Sequence, residues 1–96
     1  MDKDFAFLEG WDAADVAALL ADELPATVAT ALKALPREMN TKVFLKLPPE
    51  IRNDVAAAMA TAKVPGSLLD VMRGDIAAGL RDKAASFRRE GQGGAA

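Results

Sequence analysis

The stretch LPATVATALKALPREMNTKVFLKLPPEIR, Leu24 to Arg52, decides the fold of this 96-residue chain. It holds three Leu-Pro steps, Leu24-Pro25, Leu35-Pro36 and Leu47-Pro48, spaced 11 and 12 residues apart. Proline lacks an amide hydrogen and fixes φ near the helical value, so it suits a helix's first turn and interrupts its interior. Each step therefore closes one helix and opens the next. Between the steps, apolar residues recur with helical spacing. The first segment carries Val28, Ala31, Leu32 and Leu35, and the second Met39, Val43 and Leu47. Pro48-Pro49-Glu50 opens a further helix with the stripe Ile51, Val55, Ala58, Met59 and Ala62. Helices this short do not bury an apolar face alone and must stack on their neighbours.

Upstream, residues 2–9 read as one helical turn with Phe5 and Leu8 on one side, interrupted at Gly10. Asp12 is placed to cap the next helix, with Asp15 in the first turn where the helix dipole favours negative charge. Val16, Leu19 and Leu20 form its stripe, and Trp11 is placed to fold back onto it as a hydrophobic staple. Downstream, Val64-Pro65-Gly66 is a break. Ser67 and Asp70 form a capping-box-like start to one long last helix, whose stripe is Leu68, Leu69, Met72, Ile76, Leu80, Ala84 and Phe87. Gly74 and Gly79 predict fraying or close packing within it. No strand alternation and no sustained heptads occur. The expectation is an all-α fold, a right-handed, armadillo-like stack of short helices with a longer C-terminal helix. Its boundaries are an N-terminal extension at 1–10, a helical domain at 11–90 and a disordered tail at 91–96.

Composition narrows the chemistry. The chain has no Cys and no His, which excludes disulfides, thiolate metal sites, zinc centres and His-dependent nucleophiles. Ser67 has no histidine to activate it, and a cap explains it. No catalytic residue, metal or cofactor is expected. The acidic start Met1-Asp2-Lys3-Asp4 leads into no long apolar run, so neither a signal peptide nor direct membrane insertion is expected, and the cytoplasm is the default. Residues 1–25 carry seven carboxylates against Lys3, a net of −6, while the rest of the chain sums to +4. This reads first as solubility charge, with head-to-tail self-association the sharper reading. Arg81, Lys83, Arg88 and Arg89 are diluted by Asp82 and Glu90 in a chain of net charge −2. A nucleic-acid partner is therefore not expected.

From Ala18 to Leu80 the order of elements resembles the middle domain of the flagellar motor switch protein FliG and the related N-terminal domain of MgtE magnesium transporters. The passage Lys46-Leu47-Pro48-Pro49-Glu50-Ile51-Arg52-Asn53-Asp54-Val55 is nearest to the family pattern. The resemblance implies a non-catalytic, cytoplasmic adaptor, peripheral to the inner membrane through its partner, that docks a protein of the switch complex. In that family a Glu-His-Pro-Gln motif carries much of the contact with the switch protein FliM. Glu23 and Pro25 match it here, while Leu24 and Ala26 stand for the His and Gln, so a contact there is built differently. Candidate partner-binding residues are thus Glu23 and Pro25, with Lys42, Lys46 and Arg52 as an exposed basic set. The MgtE likeness implies the alternative, a magnesium-sensing regulatory domain, although Asp12, Asp15, Asp22 and Glu23 are explained by capping and solvation.

Overall fold

Each Leu-Pro step is a helix boundary in the computed structural model, which describes residues 2–95, with side chains as far as Arg88. The expected tail at 91–96 lies outside the described side chains. A 3-10 helix at Lys3–Leu8 is followed by α1 (Ala13–Leu20), α2 (Pro25–Ala34), α3 (Arg37–Lys46), α4 (Pro49–Ala62), α5 (Leu68–Val71) and α6 (Arg73–Ala95). No strand occurs among the described residues. Leu24, Leu35 and Leu47 all adopt extended backbone with ψ near 150° before their prolines, as the residue preceding a proline must.

Packing alternates. α1 lies on α3 and α2 on α4, while α6 runs beside the 3-10 helix, α1 and α2. The expected stripes meet in one core: Val16, Leu19, Leu20, Val28, Leu32, Val43, Leu47 and Val55 are all buried. Phe5 and Leu8 from the N-terminal turn, and Trp11 after it, reach the same core. Gly10 turns the chain between them at φ +81°, a value other residues seldom adopt.

Helices that end in an extended Leu before Pro have no left-handed C′ residue to fold back on their last carbonyls. Side chains from other elements supply the donors. Asn40 of α3 donates to the Leu32 carbonyl of α2 at 2.9 Å. Arg52 of α4 donates to the Leu47 carbonyl at 3.1 Å and to that of Leu45 on α3. Lys33 of α2 donates to the Ala62 carbonyl that ends α4, and Lys83 of α6 reaches the Leu19 carbonyl of α1 at 2.7 Å. Three of these donors are cations at helix C-termini, where the dipole favours positive charge.

Three expectations are corrected. The long last helix is two pieces: the chain turns at Met72 (φ −84°, ψ 0°) between α5 and α6. A long-range contact lies beside the break. Arg73 turns inward to pair with Asp2 and Asp4 and lies 5.3 Å from the Phe5 ring centre. Leu68 and Met72 leave the expected stripe for solvent, while Ala77 joins Leu80 and Ala84 in the core. Asp12 occupies the N-cap of α1 without a side-chain cap bond. Gly74 and Gly79 are not sites of close packing, because a Cβ at either would meet nothing within 4 Å. The capping box at Ser67 is present in altered form. Ser67 Oγ accepts from the Asp70 amide at 3.2 Å, but the Asp70 carboxylate accepts from Gly66. Trp11 is buried, with its ring stacked on Phe87 at 5.8 Å.

Candidate functional site

The α1–α2 corner, Ala21–Leu24, is held from below by α6. Lys83 Nζ donates to the Leu19 carbonyl, to Asp22 Oδ1 at 2.6 Å and to Glu23 Oε2. Burial disfavours the ammonium charge, but the two carboxylates outweigh it and hold the Lys83 pKa above its ordinary value. The same hydrogen bond holds the Asp22 carboxyl below its usual range. Glu23 is therefore turned toward the body of the protein. Pro25, at the first position of α2, is half-buried. Between them Leu24 stands 74% exposed. A depression of about 260 Å³ lies beside the corner, lined by Glu23, Thr27, Ile76, Leu80 and Lys83 among others.

The expected basic set divides. Lys42 is exposed and pairs with Glu38 one turn earlier at 3.5 Å. Lys46 is exposed, with no ion pair among the described residues. Arg52 is half-buried and committed to the end of α3. Among the described residues no hydrogen bond or ion pair joins Glu23 or Pro25 to this set, so the corner and the basic residues are separate features.

A second surface was not anticipated from the sequence. A groove of about 540 Å³ runs between α3 and α4, floored by Phe44 and Met59, with Leu45 60% exposed on its wall. The signal for it was present. Phe44 and Leu45 are large apolar residues on α3 that fall off the Met39, Val43, Leu47 stripe. Further along, Val64, Leu68 and Val71 are each more than half exposed. Among the described residues no helix is long and apolar enough to cross a membrane, and no cluster of three His, Cys, Asp or Glu side chains could hold a metal ion.

The family model of the FliG middle domain matches residues 13–89. The chain belongs to the FliG middle-domain family. The matched span covers α1 to α5 and most of α6, which makes this chain a flagellar-switch-type protein-interaction module. Searches among curated proteins and among solved structures found no match. The FliG-type span begins after the 3-10 helix, so Phe5, Leu8 and Trp11 are core residues contributed from outside it.

Proposed function

We propose that this chain is a non-catalytic, cytoplasmic adaptor that docks a flagellar switch-complex protein through its α1–α2 corner. It approaches the inner membrane only through that partner. The observation that carries the reading is Leu24. It is a large apolar side chain 74% exposed, set between Glu23 and Pro25, the two residues that match the family's partner-binding motif. Lys83 clamps Asp22 and Glu23, and Pro25 fixes the start of α2, so Leu24 sits on a rigid platform and loses little entropy on binding. Glu23 and Pro25 thus act by shaping the corner, and an apolar contact replaces the polar donors of the family motif. Lys42 and Lys46 lie on another element and serve a charged rim at most, which steers encounter more than it adds affinity. Arg52 acts through the end of α3.

The test is titration of the intact chain with a FliM-type switch protein by calorimetry. Leu24→Asp is expected to weaken binding by about tenfold or more, as loss of a central anchor does. The thermal midpoint should stay unchanged, because Leu24 touches no core. Undiminished binding by Leu24→Asp overturns the assignment of the corner.

A further inference from the structure

We infer that the groove between α3 and α4 is a second docking site, distinct from the α1–α2 corner, and that its occupant is an acidic amphipathic helix of a partner protein. The shape argues for a helix. The groove is concave, with a volume of about 540 Å³, and it lies between two helices whose facing sides carry Phe44 and Leu45 on one and Ala56, Met59 and Ala60 on the other. The small alanines give depth while the large side chains form the walls, so a ridge of apolar side chains spaced one turn apart fits between them. Met59 adds a floor that adjusts to the shape of what it meets.

The charge argues for acidity. Lys63 lines the groove and no carboxylate does. Among the described residues Lys63 makes no ion pair, nor does Lys46, next to Leu45 on α3; Lys42 is neutralised by Glu38. An incoming helix with glutamates flanking its apolar ridge would pair with amines that have no ion-pair partner among the described residues. A flat anionic membrane would leave the concave floor unfilled, which favours a helix over a lipid surface. The second copy of this chain is a poorer occupant. Four of its acids, Asp2, Asp4, Asp22 and Glu23, already pair with Arg73 or Lys83. Asp12 and Asp15, at the start of α1, flank alanines and carry no large apolar ridge, and Leu68, Val71 and Met72, exposed beside Asp70, lie on and just after α5, which is only 4 residues long.

The experiment titrates the ¹⁵N-labelled full chain with three probes. These are a designed helical peptide with leucines at i, i+3, i+4 and i+7 and glutamates elsewhere, the same peptide with lysines for glutamates, and phosphatidylglycerol vesicles. The expected result is saturable shifts confined to Asn40–Leu45 and Ala56–Lys63 with the glutamate peptide alone. Leu45→Asp should weaken that binding about tenfold. Lys63→Glu should weaken it several-fold and shift preference toward the lysine peptide. Both side chains are exposed, and unchanged circular dichroism would exclude loss of fold. The inference is overturned by absence of saturable shifts, by equal binding of both peptides, by binding of vesicles in place of peptide, or by shifts at Ala21–Thr27. The last outcome would place the peptide on the corner and leave that reading standing, so the two surfaces fail independently.

Discussion

Along the inner side of α6, Arg73, Ala77, Leu80, Lys83, Ala84 and Phe87 are engaged by the rest of the chain; along α3, α4 and α5 several large apolar side chains and amines are left outside. On the first edge Arg73 holds Asp2 and Asp4, Lys83 holds Asp22 and Glu23, and Arg88 lies 4.7 Å from the ring centre of Trp11, which stacks on Phe87. On the second, Leu45, Val64, Leu68 and Val71 are more than half exposed, and Lys46 and Lys63 have no ion pair among the described residues. Both edges draw on similar residue types. The difference lies in whether the chain itself supplies a cover. The N-terminal segment closes one edge in cis, and that closure contributes stability. The open edge contributes little to stability and remains free for a partner, which is where exposed apolar surface on a small domain acquires meaning.

The sharpest way to break this contrast is to truncate one apolar side chain on each edge. Phe5→Ala should lower unfolding free energy by about 3–5 kcal/mol, the usual cost of emptying a buried phenylalanine site, whereas Leu45→Ala should change it by less than about 0.5 kcal/mol. Urea denaturation of the two variants measures both. A cost for Phe5→Ala as small as that for Leu45→Ala would show that the N-terminal segment is a loose appendage.

The ion pairs are a smaller effect with a definite sign. Hydrogen bonding from Arg73 lowers the Asp2 carboxyl below its ordinary 3.8. A carboxyl depressed in the folded state adds stability that is fully present above about pH 3.8 and is lost as pH falls through the lower folded value. Arg73→Met should therefore destabilise the protein at neutral pH and leave a shallower acid limb in urea midpoints taken between pH 5 and pH 2. The loss should be about 1 kcal/mol, because both carboxylates are partly solvated and the pairing is screened. An acid limb as steep as that of the unaltered chain would assign the pH dependence to other carboxyls.

Smallest is the effect of a glycine within α6. Gly79 is exposed, helical and open to an added Cβ, so Gly79→Ala should raise stability by about 0.5–1 kcal/mol. A rise in thermal midpoint reports it. No rise would indicate that α6 is already fixed by its inner contacts and gains nothing from helix propensity.

Much of this architecture was legible in the chain. Pro25, Pro36 and Pro49 mark where α2, α3 and α4 begin, and the buried stripes fall where their spacing predicts, because proline stereochemistry and helical periodicity are local. The misreadings at Met72 and Glu23 involve partners far away in sequence, and that at Arg52 a neighbouring helix end. The break at Met72 lies beside Arg73, which meets Asp2 and Asp4. The inward turn of Glu23 follows from Lys83, sixty residues on. Arg52 reads as a surface cation until the unsatisfied carbonyls at the end of α3 are seen beside it. The candidate corner was found through a motif likeness, and the exposure of Leu24 there was not. The groove needed two helices to be placed side by side before Phe44 and Met59 could share a floor.

The side-chain donors at the helix ends also fix an order of events during synthesis. The carbonyls ending α1 wait for Lys83, those of α2 for Asn40 and those of α3 for Arg52; only α4 finds its donor, Lys33, already made. A chain emerging from the ribosome would therefore hold Phe5, Leu8 and Trp11 without their cover on α6 until Arg73 and Phe87 had left the exit tunnel. The end of α1 and the cluster around Trp11 would be completed last, as α6 docked, with Phe5, Leu8 and Trp11 offered to chaperones until then.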